Sequence, residues 1–207
     1  MCAGKNEVYS IDELKAHKDS FYNQSEYGRW KHVAVVREPM ERFVSGFLDR
    51  CILHESWKRD SSLCFGCKKD LTCFLENLDR TMANPKLRYH TEDTYHFFPQ
   101  NWWCEMGKYM NNNFTVLKIS RTNPDGFWDR FFDVLRDQKV PEELIEFINR
   151  QIHSGHTAHS TFDQAGAKQR LLEQLYEPYH MRLFLKMFYY DYVIFGFPLP
   201  KVNFNLR

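Results

Sequence analysis

Apolar residues recur at helical spacing in a stretch that begins at Met40. Counted from Met40, they stand at positions i, i+3, i+4, i+7, i+8 and i+11. This period places one apolar stripe along a helix. Pro39 suits the first turn of that helix, because its missing N–H would have no intrahelical partner there. Arg42, Ser45 and Asp49 stand at i, i+3 and i+7 on a different face of the same helix.

Two short apolar, β-branched runs predict buried strands at 32–36 and 115–119. Helical periodicity and capping signals predict helices at 10–18, 40–51, 71–82, 125–138, 141–151, 168–176 and 179–195. Segment 85–104 is predicted to be irregular, and the latter part of the last helix could instead be a strand. The alternation of strand and helix indicates the α/β class with a small sheet. No repeat or Gly/Ser linker divides the sequence, which predicts a single domain over 1–207.

Composition narrows the class of protein further. The 207 residues are 43% hydrophobic and 16% aromatic, which argues for a packed core and against disorder. A net charge of +1 gives no reason to expect nucleic acid or an anionic membrane as a partner. The sequence contains no apolar stretch of the roughly 18–20 residues that a membrane span needs, and no signal peptide. Any anion site must therefore be local.

Three of the six cysteines, Cys64, Cys67 and Cys73, fall within ten residues. A CxxC pair can hold zinc, form a redox couple or contribute to disulfides. Zinc would need a fourth ligand from elsewhere, so disulfides are favoured and no metal is predicted, although a zinc-binding interaction module remains an alternative. Disulfides imply an oxidising compartment. Asn23 and Asn113 begin N-glycosylation patterns, which give weak support to a lumenal glycoprotein.

The junction between the first predicted strand and the next helix suits a phosphate. Arg37 stands at the carboxyl end of the strand, where α/β folds bind ligands, and its guanidinium can grip a phosphate through two parallel hydrogen bonds. The helix N-terminus is expected to add N–H groups, and Ser45 a hydroxyl. Strand–turn–helix units with an arginine are common, however, and Arg37 could simply pair with Glu38 or Glu41.

Several segments between about Trp30 and Pro200, among them 36–47 and 96–104, carry a resemblance to a known family. Val-Arg-Glu-Pro-Met-Glu-Arg-Phe-Val-Ser-Gly-Phe, residues 36–47, resembles the 3′-phosphate-binding motif of sulfotransferases, Arg-Asp/Glu-Pro-x-x-Arg-x-x-Ser-x-Phe. Segment 96–104 is similar to the His-x-x-Pro-Gln-x-x-x-Cys segment of Golgi carbohydrate sulfotransferases. The resemblance implies a helix-rich, P-loop-like α/β fold with a small, incomplete parallel sheet. It also implies that Arg37 and Ser45 bind the 3′-phosphate of 3′-phosphoadenosine 5′-phosphosulfate (PAPS), with Arg42 in a supporting role.

The function implied by this resemblance is transfer of a sulfuryl group from PAPS to a carbohydrate hydroxyl in the Golgi lumen. His96 is the candidate general base, since such a base works best near neutral pKa; an equally open interpretation is that it only holds its loop. Members of the family are anchored in the membrane and carry an upstream Lys-Ser/Thr loop for the 5′-phosphosulfate. Residues 1–30 match neither feature, which predicts an N-terminally truncated member. A catalytically inactive relative that binds nucleotide or glycan is the alternative.

Overall fold

A computed structural model describes residues 31–84, 91–106, 114–119, 124–152 and 164–201. These residues form a helix-rich α/β structure with a parallel sheet of two strands, which confirms the predicted fold class. The predicted helix 10–18, Asn23 and Asn113 lie outside the described residues. Within the described ranges, no helix has the length and apolar character needed to cross a membrane.

The elements follow the predicted order closely. The strands are β1 (His32–Arg37) and β2 (Phe114–Ile119). The helices are α1 (Pro39–Phe47), α2 (Leu71–Ala83), α3 (Glu92–Phe97), α4 (Pro124–Asp137), α5 (Glu142–Ile152), α6 (Ala165–Leu175) and α7 (Pro178–Phe195). A π-helical turn, Leu48–Leu53, follows α1 directly, and single 3₁₀ turns occur at Ser56–Lys58, Leu63–Gly66 and Gln100–Glu105.

The chain divides into two compact units. One contains the described residues of Met1–Val36 and Gln100–Lys139, and the other those of Arg37–Pro99 and Val140–Arg207. In the first unit, α4 packs against β2, whose Leu117 is fully buried. Phe132 and Val134 of α4 are buried as well. The described residues of this unit therefore contain the small sheet, a helix packed on β2 and the 3₁₀ segment Gln100–Glu105.

The second unit is built around an aromatic core centred on Phe43. The Phe43 ring contacts five other phenylalanine rings from four helices: Phe47, Phe74, Phe97, Phe184 and Phe188. All six are nearly inaccessible to solvent. Four of these five pairs are edge-to-face and the Phe43–Phe47 pair is stacked; such aromatic pairs contribute about 0.5–1.5 kcal/mol each beyond burial. The aromatic residues that the composition pointed to thus fix the mutual positions of α1, α2, α3 and α7.

Two sequence-based expectations about elements were wrong. Segment 85–104 was expected to be irregular, but its described part contains α3, whose N-terminus is closed by a Thr91–Thr94 capping box. This capping box was not recognised in the sequence because Thr94 stands at the third helical position, where Glu or Gln is usual. The strand alternative for the end of α7 also fails, because the helix continues to Phe195. It ends at Gly196, whose φ of 61° lies in the left-handed region that glycine tolerates.

Two disulfides join the cysteine-rich segment, which confirms the disulfide prediction. Cys51 pairs with Cys64, and Cys67 pairs with Cys73, so the two cysteines of the CxxC motif are not partners. Their sulfurs are therefore not the thiolates that a zinc site needs. Within the part of the chain that the structure describes, no group of three or more His, Cys, Asp or Glu side chains is placed to hold a metal ion.

Removing the Cys51–Cys64 bond should destabilise the protein more than removing Cys67–Cys73. The two bonds close loops with sequence separations of 13 and 6. Loop-closure entropy gives about 2–3 kcal/mol for the longer loop and roughly 0.7 kcal/mol less for the shorter one. Paired Cys→Ala variants compared by urea unfolding measure this difference. A larger loss from the Cys67/Cys73 variant would contradict it.

Candidate functional site

A cavity of about 250 Å³ in the second unit brings the sequence-predicted residues together. It is lined by Arg37, Arg42, Ser45, Gly46, Asp49, Tyr95 and His96. Ser45 and Asp49 follow Arg42 at i+3 and i+7, the face that the sequence separated from the apolar stripe. The structure thus places all four predicted site residues on one cavity, while their roles remain predictions.

Arg37, the last residue of β1, lies beside a carboxylate as well as the cavity. Its Nε is 3.6 Å from Oε2 of Glu41, and about a quarter of each side chain is exposed. A partly exposed pair of this kind is worth about 1 kcal/mol or less. The ion pair with Glu41 and the cavity position therefore coexist. A phosphate could replace or share this partner at small cost.

The expectation that the N-terminus of α1 offers N–H groups to an anion is wrong. Pro39 has no N–H, and the Glu38 side chain accepts a 2.6 Å hydrogen bond from the Glu41 amide. The hydroxyl of Tyr192 donates to the second Glu38 oxygen at 2.6 Å. Burial and the Glu38 carboxylate raise the pKa of Tyr192. The helix start is thus capped from within.

The Arg42 side chain lines the cavity and is hydrogen-bonded to the backbone at the end of α3. Its guanidinium donates to the carbonyl oxygens of Phe98 at 2.8 Å and Tyr95 at 3.0 Å, near the C-terminal end of α3. A cation there is also favoured by the helix dipole. Burial lowers the pKa of Arg42 to about 10; the charge of Asp191 opposes this shift and that of Arg37 adds to it. Arg42 stays protonated at neutral pH and holds α3 in place.

The N-terminal end of α3 is held by other charges. Glu92 pairs with Arg50 and Arg59. The buried Asp93 accepts a 3.1 Å hydrogen bond from the Phe65 amide, in the loop that the Cys51–Cys64 disulfide joins to the π turn. Burial raises the pKa of Asp93, while the Phe65 amide and the charge of Arg50 oppose that shift. The helix that carries Tyr95 and His96 is therefore anchored at both ends.

The ring of His96 has a defined hydrogen-bonding pattern. Its Nδ1 lies 2.6 Å from the carbonyl oxygen of Glu92, one turn earlier in α3. A carbonyl only accepts, so Nδ1 carries the proton of the neutral ring, and Nε2 is the nitrogen that can take up another. The side chain is exposed and lines the cavity. This arrangement suits a general base, and it equally satisfies the interpretation in which His96 steadies its own helix.

Three lining residues were not assigned a role from the sequence: Gly46, Asp49 and Tyr95. Gly46 allows a close approach, since a Cβ there would lie 3.2 Å from Cε1 of the buried Phe97 ring. An isolated glycine inside a helical pattern was the available signal for such packing. Asp49 was visible on the polar face of the helix, but a carboxylate gave no reason to join a phosphate site. Tyr95 had no signal, because α3 itself was not predicted.

Comparison with known proteins identifies relatives along nearly the whole chain. The family described as "Sulfotransferase family" matches residues 4–198. The Caenorhabditis elegans protein C18B2.2, which is uncharacterized, is 31% identical over 97% of this chain, and the C. elegans carbohydrate sulfotransferase chst-1 is 28% identical over 98%. The chain covers 55% and 61% of the lengths of these relatives. No solved structure matches it significantly.

Proposed function

This chain belongs to the sulfotransferase family, and we propose that it transfers a sulfuryl group from PAPS to a hydroxyl of a carbohydrate. Membership of the family supports a transferase that uses a nucleotide sulfate donor. The likeness to a carbohydrate sulfotransferase supports a glycan acceptor. Since the relatives are longer, the proposal concerns the chemistry to which these residues contribute.

The observation that carries the proposal is the cavity shared by Arg37, Ser45 and His96. The guanidinium of Arg37 would grip the 3′-phosphate of PAPS and the Ser45 hydroxyl would donate to it. The volume, about 250 Å³, lies below the roughly 300–1,000 Å³ of sites that enclose a whole drug-sized ligand. It suits a phosphate with its ribose, that is, the nucleotide end of the donor.

His96 lines the same cavity and is the proposed general base. Nε2 of His96 would accept the proton of the acceptor hydroxyl as its oxygen bonds to sulfur. The bond from sulfur to the bridging phosphate oxygen breaks, and adenosine 3′,5′-bisphosphate leaves with that electron pair. The departing oxygen gains negative charge, which a cation must neutralise. The described residues that line this cavity include no lysine, so that group would come from elsewhere in the protein.

A second candidate is a relative that binds the nucleotide through its 3′-phosphate and transfers nothing. Loss of one charge-stabilising group costs on the order of 3–4 kcal/mol in the transition state, a rate factor of about 100–1,000. Binding at the 3′-phosphate would survive that loss, because it depends on Arg37 and Ser45.

We also propose that the protein functions in the Golgi lumen. The support is the pair of disulfides, which persist in oxidising compartments, together with the resemblance to Golgi enzymes. Thiol counting on protein isolated from the secretory pathway would test this, since reduced Cys51 and Cys64 there would contradict it.

Two measurements test the function and separate the candidates. Calorimetry with adenosine 3′,5′-bisphosphate asks whether the nucleotide end binds, and transfer of radiolabelled sulfate from PAPS to a panel of glycans asks whether the reaction occurs. Binding with transfer supports the enzyme, and binding without transfer supports the inactive relative. Absence of binding would contradict the PAPS site itself.

His96→Gln is expected to lower turnover on the order of 100-fold, because general-base catalysis contributes at least that much. Glutamine can keep a hydrogen bond within α3 but cannot take up a proton. The affinity for adenosine 3′,5′-bisphosphate should change little, which separates a base from a nucleotide ligand. If turnover is preserved while the unfolding midpoint falls, His96 only steadies its helix.

A further inference from the structure

The cavity contains a carboxylate that the proposed function does not use. Asp49 lines it together with Arg37 and Ser45, and stands four residues after Ser45. Residues four apart on a helix have Cβ atoms about 5–6 Å apart. A carboxylate so close to a bound phosphate would repel it, and a hydrogen-bond donor of the ligand placed against the carboxylate would offset that repulsion. A ligand with a donor next to its phosphate therefore suits this cavity best.

The position of Asp49 is fixed by the π turn that follows α1. The amide of His54 donates to the Asp49 carbonyl oxygen at 2.9 Å, the five-residue spacing that defines this turn. The wider turn brings the His54 ring back, so that its Nε2 lies 3.2 Å from Oδ1 of Asp49. Single π turns are rare and frequently occur at functional sites. The chain thus uses an unusual turn to orient this carboxylate beside the cavity.

We propose that Asp49 accepts a hydrogen bond from the ribose 2′-hydroxyl of the nucleotide donor and so determines its specificity. The inference rests on the proposed function. In a 3′-phosphorylated ribose the 2′-hydroxyl is adjacent to the phosphate. Arg37 and Ser45 would bind the phosphate, and Asp49 would accept a hydrogen bond from the neighbouring hydroxyl. Acidic side chains recognise ribose hydroxyls in dinucleotide-binding folds for the same chemical reason.

The same carboxylate rejects the wrong isomer. A nucleotide with its phosphate at the 2′ position would place two negative charges against Asp49, and specificity often depends on such a repulsive element. The site should therefore distinguish three ligands: adenosine 3′,5′-bisphosphate, its 2′-deoxy analogue, and adenosine 2′,5′-bisphosphate. The first should bind most tightly.

Calorimetry of the three ligands on the wild-type chain, Asp49→Ala and Asp129→Ala tests the inference. The wild type is expected to bind adenosine 3′,5′-bisphosphate about tenfold or more tightly than the 2′-deoxy analogue, the effect of one hydrogen bond to a charged group. Asp49→Ala should bind these two ligands equally and should accept the 2′,5′ isomer better. Asp129, an exposed residue of α4 outside the cavity lining, is the matched control and should leave every ratio unchanged.

Each possible result supports or contradicts the proposed role of Asp49. Equal wild-type affinity for the ribo and deoxy ligands would overturn the inference and leave the proposed function intact, as would discrimination that persists in Asp49→Ala. If the wild type binds none of the three, the nucleotide site of the proposed function falls, and the inference with it. Should Asp49→Ala not fold, judged by its thermal unfolding midpoint, Asp49→Asn removes the charge at nearly constant shape and is expected to lower the same ratio.

Discussion

Replacing Arg37 by alanine is expected to weaken binding of adenosine 3′,5′-bisphosphate by about 100–1,000-fold, the effect of losing two parallel hydrogen bonds to a charged group. Arg37 is the lining cation on which the phosphate site depends, because the guanidinium of Arg42 is directed to two backbone carbonyls. Calorimetry at one salt concentration measures the loss. The affinity of Arg37→Lys should lie between those of the wild type and Arg37→Ala, because lysine keeps the charge but lacks the planar guanidinium.

Two controls separate a lost ligand contact from a disturbed fold. Glu41→Ala breaks the same ion pair from its other side while leaving the guanidinium in place, so nucleotide affinity should be unchanged or higher. Arg150 is an exposed arginine paired with Glu146 on α5, and Arg150→Ala should have no effect. Undiminished binding by Arg37→Ala, or an equal loss in Glu41→Ala, would contradict the phosphate role.

Elements governed by local signals could be predicted from the sequence. The β-branched run that became β1 and the apolar stripe of α1 carry their own periodicity, so their positions followed within a few residues. The cavity residues Arg37 and Ser45 flank that same junction, and the resemblance to a family motif lies within it. The position of the candidate site could therefore be predicted from these local sequence signals.

Features that depend on distant partners could not be predicted. The Glu38 side chain that caps α1 also accepts a hydrogen bond from Tyr192, 154 residues away, and nothing near Pro39 indicates that contact. Arg42 donates to carbonyl oxygens 53 and 56 residues away, in and just after a helix whose capping signal was atypical. The disulfide pairing also could not be predicted from the CxxC spacing, because Cys64 pairs with Cys51 of the π turn and Cys67 pairs with Cys73. Tertiary packing decided each of these.

Arg42→Met is expected to lower the free energy of unfolding by about 2–3 kcal/mol, the cost of losing hydrogen bonds donated by a charged group. The substitution deletes two hydrogen bonds, one to the partly buried carbonyl oxygen of Phe98 and one to the exposed carbonyl oxygen of Tyr95. It also removes the positive charge that interacts with Asp191, which is completely buried. Urea unfolding followed by circular dichroism measures the change.

Further variants separate the effect of burial on stability from the effect of charge. Arg59→Met removes an arginine that pairs with α3 through the exposed side chain of Glu92, and should cost about 1 kcal/mol or less. A double-mutant cycle of Arg42→Met with Asp191→Asn measures how much of the loss comes from the charge of Asp191 acting on Arg42. If Arg42 instead contacts the phosphate directly, its substitution will reduce nucleotide affinity as much as Arg37→Ala does and leave the unfolding free energy nearly unchanged. The supporting role predicts the opposite: a large loss of stability, with nucleotide affinity reduced far less wherever the variant remains folded.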